Sequence, residues 1–147
     1  MLCLLLGYAA GNFFSRALPE PDTFEKTEEA LLQPDRTGHS IKERLASELK
    51  PNEVIAATNG QAAGYILAHP TLSLVDRPYD LTPWSEPVLH KQIDRFRARY
   101  LLVFRDAAYD PVVTESRFLR ALAAGRTAAP WLQLVSENPS ICVYRVE

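Results

Sequence analysis

Cysteine is too scarce in this chain to organise it. Its two cysteines, Cys3 and Cys142, stand near opposite ends, and neither belongs to a C-x-x-C pair, so a zinc knuckle or a dithiol redox motif has no basis. Cys3 lies in an apolar stretch and Cys142 in an expected C-terminal strand, which argues against a disulfide between them. An excess of charge of either sign is missing as well. A formal net charge of −2 leaves no electrostatic footprint for nucleic acid, and no polybasic run is present to hold anionic lipid. The chain has no G-x-G-x-x-G fingerprint, no Gly-Lys-Ser/Thr phosphate loop and no Gly-x-Ser-x-Gly elbow. It also lacks internal repeats and low-complexity tracts. What is there is ordinary globular usage, 47% apolar and 23% charged. A length of 147 residues fits one domain with a real core. Its 11 prolines fall at segment boundaries, as punctuation of a folded chain.

The N-terminus departs from that average. Met1 to Phe14 reads MLCLLLGYAAGNFF, with no charge before Arg16. A bilayer span needs roughly 20 apolar residues, and this run is shorter. A secretory signal needs a basic start, and none precedes the apolar run. The segment is therefore read as the truncated end of a transmembrane helix, with an atypical signal sequence and a buried core helix as the alternatives. Pro19 and Pro21 follow, then the acids Glu20, Asp22, Glu25, Glu28 and Glu29. Cytoplasmic flanks of membrane helices are rich in Lys and Arg; this acidic flank points to the other side of a membrane. The prolines are expected to stop any helix, with a short one over residues 23–32 ending at Gln33-Pro34.

Further along, helical and strand patterns alternate. Ser40-Ile41-Lys42-Glu43 matches a capping box, and Ile41, Leu45 and Leu49 continue from it as one apolar stripe. Glu53 to Thr58 reads as the first strand, Asn59-Gly60 as a turn, Gln61 to Ala68 as a short helix and Thr71 to Val75 as the second strand. A helix is expected from Ser85 to Arg99 on Leu89, Ile93, Phe96 and Tyr100. Tyr100 to Phe104 is apolar throughout, as a strand buried on both faces should be. Asp110-Pro111 supplies an N-cap and first-turn proline for a helix using Val112, Phe118, Leu119 and Leu122 and ending at Gly125. Trp131 to Ser136 and Ile141 to Val146 close the chain as a hairpin around Glu137-Asn138-Pro139-Ser140. Alternation of this kind favours parallel pairing with right-handed crossovers. The expected fold is a small Rossmann-like, three-layer α/β domain: a mostly parallel sheet with an antiparallel C-terminal hairpin, preceded by a truncated apolar helix. The expected division is an apolar helix at 1–16, a linker at 17–36 and the α/β domain at 37–147.

Three groups of residues invite a functional reading. Thr58, Asn59, Gly60 and Gln61 lie at the carboxyl end of the first strand, where open α/β sheets bind ligands and where helix amides can hold an anion. One glycine is not a dinucleotide fingerprint, and turn chemistry alone explains Asn-Gly. Glu86, His90 and Asp94 share a helix face through their spacing of four and are metal-ligand types. Zinc takes further ligands, to which nothing here points, so a solvated mixed-charge face explains them better. Arg95, Arg97 and Arg99 interleave with Phe96 and Tyr100, but on a helix they spread around the axis instead of forming a patch. No metal, cofactor or catalytic residue is assigned.

The segment order carries a resemblance. An apolar run precedes a proline-containing acidic stretch and a capped helix. Then come Glu53-Val54-Ile55-Ala56-Ala57-Thr58-Asn59-Gly60, Tyr100-Leu101-Leu102-Val103-Phe104-Arg105-Asp106 and Ile141-Cys142-Val143-Tyr144-Arg145-Val146. Over nearly its whole length the chain resembles the soluble C-terminal domain of polytopic, polyprenyl-phosphate-dependent glycosyltransferases of the protein-mannosyltransferase and aminoarabinose-transferase type. In that family the catalytic acid lies in an early extracytoplasmic loop, and no residue here matches its motif. The resemblance implies a non-catalytic domain on the periplasmic or extracellular side of the bacterial cytoplasmic membrane. Its partners would be the membrane-embedded part of the same enzyme or a neighbouring membrane subunit, and the lipid bilayer through residues 1–16. A free-standing small-ligand or nucleotide-binding module and a membrane-tethered interaction module are the alternatives.

Overall fold

The computed structural model describes residues 21–75, 84–105, 111–126 and 129–147. The apolar segment at 1–16 and the N-cap expected at Asp110 lie outside them. Among the described residues six helices and five strands follow in order: α1 Pro21–Leu32, α2 Ile41–Glu48, β1 Val54–Ala57, α3 Gly60–Leu67, β2 Thr71–Ser73, α4 Glu86–Phe96, β3 Ala98–Phe104, α5 Pro111–Glu115, α6 Arg117–Ala123, β4 Leu132–Glu137 and β5 Ile141–Val146.

The strands form one mixed sheet in the order β2-β1-β3-β5-β4. β1 pairs parallel with both β2 and β3, with Ala56 opposite Leu72 on one side and Leu101 on the other. β5 runs antiparallel between β3 and β4, with Val143 opposite Leu102. β3 occupies the middle, and five of its seven residues, Tyr100 to Phe104, form an unbroken buried run. The pleat sends alternate residues of that run to opposite faces. Leu101 and Val103 join Leu89, Ile93, Leu119, Leu122, Trp84 and Tyr144 on one face, under α4, α5 and α6. Tyr100, Leu102 and Phe104 join Leu31, Ile41, Leu45, Ile55 and Val143 on the other, under α1, α2 and α3. The result is a sheet with helices on both faces. Each fully buried Leu, Ile or Val contributes about 1.5–3 kcal/mol through lost apolar exposure.

Local chemistry sets the ends of the elements. The Ser40 hydroxyl accepts from the Glu43 amide and the Glu43 carboxylate accepts from the Ser40 amide, so the capping box forms as expected. That pairing holds the Glu43 carboxyl below its ordinary pKa. In the closing hairpin the Asn138 carbonyl accepts from the amides of Ser140 and Ile141. Its amino group donates to Ala30 O and Gln33 O at the end of α1, tying helix to hairpin.

The structure departs from the sequence-based expectation in four places. The short helix expected over residues 23–32 is present but starts two residues earlier, at Pro21, because a proline in the first turn has no intrahelical amide to lose. The stretch read as a linker thus contains α1, which is packed on the sheet through buried Ala30 and Leu31. α4 ends at Phe96, three residues early, with Arg97 in the left-handed conformation at φ 53°. Tyr100 therefore belongs to β3 and not to the helical stripe, because the run to Phe104 satisfies its backbone in the sheet. The helix expected after Asp110 is two pieces, since the buried Ser116 hydroxyl accepts from the Leu119 amide and starts α6 anew. Asn59-Gly60 is not a free turn: Asn59 is the N-cap of α3 and Gly60 its first residue.

Candidate functional site

α3 leaves β1 toward β2 on one side, and α4 returns the chain to β3 on the other. The strand order therefore reverses at β1 and β3, and the crevice at their carboxyl ends is where such sheets bind ligands. Thr58 to Gln61 lie at this point, as their position after β1 predicts.

Their polar groups are engaged within the fold. Thr58 is fully buried. Its amide donates to Leu102 O at 3.1 Å, and its Oγ1 accepts from the Phe104 amide at 3.1 Å, so it extends the β1–β3 seam one residue past the strand. Asn59 does not cap its helix with its side chain. Its Nδ2 donates to Thr27 Oγ1, which itself donates to Thr23 O at 2.7 Å within α1. Gly60 lets α3 lie directly on β2: a Cβ there would meet Ser73 Cα at 2.4 Å. Gly64, one turn on, stands against Thr71 in the same way, with a Cβ only 2.6 Å from Oγ1. Among the described residues Ser73 Oγ has no hydrogen-bond partner, and it is sealed from solvent. Gln61 alone of the four is half-exposed without a part in this stitching.

Past the end of β3 stands a second polar group. The Arg105 amide donates to Ser140 O at 2.9 Å. Its guanidinium donates to Cys142 Sγ at 2.8 and 3.2 Å and pairs with Glu137, whose other oxygen meets Arg36 at 2.5 Å. Burial pushes the Cys142 thiol pKa up, by more than Arg105 draws it down. A buried thiol held protonated is a poor nucleophile or metal ligand. Burial works against the Arg105 charge, but its contacts to Cys142 and Glu137 outweigh that and raise its pKa.

Asp35 centres a third group. Burial alone would raise its pKa, yet the carboxyl is held well below the usual range. The Thr37 hydroxyl and amide and the Ser136 hydroxyl, at 2.6 to 2.7 Å, donate to it, and Arg44 adds its charge at 2.9 Å. This network joins the segment after α1 to α2 and to the edge strand β4.

The remaining sequence candidates serve packing. Glu86 accepts from Trp131 Nε1 at 3.1 Å, and His90 stacks on the Trp131 indole with centroids 4.3 Å apart and planes 8° from parallel. Asp94 meets His90 Nε2 at 3.5 Å. The three side chains thus seat Trp131 against α4. Among the described residues no group of three His, Cys, Asp or Glu is placed to hold a metal ion. Arg95 lies over the Phe96 ring at 5.6 Å, Arg97 caps α4, and Arg99 is exposed on β3, so the arginines do not form one patch.

One surface feature matches no motif. From Val54 through Val75 the sequence contains no Asp, Glu, Lys or Arg. α3 lies wholly inside this stretch, yet it is a surface helix whose Tyr65 is 72% exposed. Its sequence signal is an absence of charge, not the presence of a reactive residue.

These features define a mixed-sheet α/β domain whose strand-end polar groups are used to hold it together. Comparison with protein-family models, with curated proteins and with solved structures gave no match. Among the described residues no helix is long and apolar enough to cross a membrane.

Proposed function

We propose that the chain is the non-catalytic, extracytoplasmic C-terminal domain of a membrane glycosyltransferase that takes sugar from a polyprenyl-phosphate donor. The reading is supported by the resemblance in segment order, from the apolar start through a capped helix to the closing Ile141–Val146 strand. The observation that carries its non-catalytic part is the engagement of the strand-end residues. Thr58 bonds Phe104 and Asn59 bonds Thr27, so the side chains a ligand would need at the switch point serve cohesion. The same observation weighs against a free-standing nucleotide-binding module of Rossmann-like type. In this reading residues 1–16 enter the cytoplasmic membrane, and the domain lies on its periplasmic or extracellular side. It would pack on the membrane-embedded part of the same enzyme or on a neighbouring membrane subunit.

Reading the DNA upstream of Met1 tests this. The expected result is a frame, continuous or adjacent, that encodes many apolar spans with an acidic residue in the first outside loop. A stop codon and ribosome-binding site just before Met1, with no membrane gene alongside, would overturn it. Saturable binding of a nucleotide or sugar phosphate that is lost in Gln61→Ala would then move the ligand-binding reading ahead.

A further inference from the structure

We infer that the outer face of α3, together with Phe24 of α1, rests in the headgroup layer of a lipid bilayer. This rests on the reading of Met1–Phe14 as a membrane segment and adds to it which surface meets the lipid.

A surface helix ordinarily carries charge on its outer side. α3 carries none, although Gln61, Gly64, Ile66 and Leu67 are only partly covered and Tyr65 and Ala68 are exposed. Tyr65 packs edge-on against Phe24, with centroids 5.4 Å apart and planes at 69°. The surface is thus an aromatic pair on an uncharged helix, and no charge on α3 would need to be stripped of water on entering an interface. Tyrosine favours such boundaries, because its ring is apolar and its hydroxyl reaches water or headgroups.

Chain connectivity places this surface. Phe24 lies in the first turn of α1, which starts at Pro21. Six residues, Ser15 to Glu20, separate α1 from the apolar run and reach about 20 Å at full extension. An apolar run that ends at the bilayer surface therefore keeps the start of α1, with Tyr65 beside Phe24, within about 20 Å of the headgroups, near enough for this face to reach them. α4 lies on the far side of the sheet, under the other core, and there Asp94 is 65% exposed. The acids Glu25, Glu28 and Glu29 flank Phe24 along α1. They oppose an anionic surface, so the face fits zwitterionic headgroups.

The test uses the full chain with Cys3→Ser, reconstituted with phosphatidylcholine vesicles. A nitroxide is placed on α3 through Gln61→Cys, which keeps Tyr65, or on α4 through Asp94→Cys; Cys142 is fully buried and stays unlabelled. The expected result is severalfold higher accessibility to oxygen relative to a water-soluble nickel chelate at position 61 than at position 94. The difference should shrink when phosphatidylglycerol is included or when Tyr65→Ser is added. Vesicle-bound chain with equal water access at both positions would overturn the docking face while leaving the anchor intact. Chain that stays in solution when the vesicles float would overturn the anchor and the docking face together. A protected position 61 in such vesicle-free chain would show that Met1–Phe14 itself covers α3, which also overturns the lipid contact.

Discussion

Gly60→Ala should destabilise the domain, although alanine is the better helix former. Gly60 is the first residue of α3, and its φ is not positive, so the backbone conformation suits alanine. Propensity alone would favour the substitution by up to about 1 kcal/mol. The contact opposes it. The new methyl would sit 2.4 Å from Ser73 Cα, 2.7 Å from Ser73 Cβ and 3.0 Å from Ser73 N, where ordinary contact begins at 3.4 Å. Relief requires α3 to back away from β2 by about 1 Å, which loosens the fully buried Ala62 and Ala63 behind it. Overpacking of this kind costs about 1–3 kcal/mol. Because the closest obstacle is backbone and no side-chain rotation relieves it, a net loss of about 2 kcal/mol is expected. For a domain of this size that lowers Tm by about 8 °C. Unfolding followed by fluorescence of the buried Trp84 and Trp131 would read it. Adding Ser73→Gly should not rescue Gly60→Ala, since Ser73 Cα and N remain in place. At Gly64 the nearest atom is the Thr71 hydroxyl, so Thr71→Ala should rescue part of the Gly64→Ala loss. A Gly60→Ala chain as stable as the parent would refute the close packing of α3 on β2.

Other outcomes follow from the polar networks. Asp35 has a depressed folded-state pKa, so its contribution is complete above the ordinary carboxylate range and is lost as pH falls. The urea midpoint should drop below about pH 5, and Asp35→Asn should flatten that drop while lowering stability at neutral pH; an unchanged acid profile would remove Asp35 as its source. Ser116→Ala removes the hydroxyl that caps α6 and donates to Trp84 O, both in buried surroundings. A loss of about 2 kcal/mol is expected in chemical denaturation, and one under 0.5 kcal/mol would contradict the buried cap. In a Cys3→Ser chain, Cys142 should react with an aromatic disulfide reagent only at the rate of unfolding, because the thiol is buried and held protonated. Fast native-state labelling would show that this corner of the sheet opens.

Much of the fold was legible because its signals are local. Ser40 and Glu43 satisfy each other's amides three residues apart, so the capping box needs no partner from elsewhere. Tyr100 to Phe104 reads as a central strand because both faces need apolar side chains there. The end of α4 was not legible. Arg97 and Ala98 suit a helix by propensity, and only pairing of Ala98 and Tyr100 with β1 decides for the strand. The break at Ser116 was hidden similarly. A serine within an apolar helical pattern is unremarkable until its hydroxyl finds Trp84 O, 32 residues away in sequence.

The candidate site was located by pattern but not understood from it. The position of Thr58 to Gln61 after β1 follows from strand alternation, and the structure puts them at the switch point. That Thr58 serves Phe104, that Asn59 serves Thr27 and that Gly60 clears space for Ser73 could not be read, since each partner lies 13 or more residues distant.

The sequence by itself determined the α/β alternation, the capped start of α2, the antiparallel closing hairpin and the uncharged run that becomes α3. Each depends on periodicity, composition or contacts within a few residues. Only the tertiary structure decided that Pro21–Leu32 belongs to the packed body and that Glu86, His90 and Asp94 serve Trp131. It alone set Asp35, Ser136 and Arg44 into one network and turned the α3 face with Tyr65 outward. Those outcomes depend on which distant groups meet when the sheet closes, and in a single chain that is fixed by packing across the sheet, not by any local run of residues.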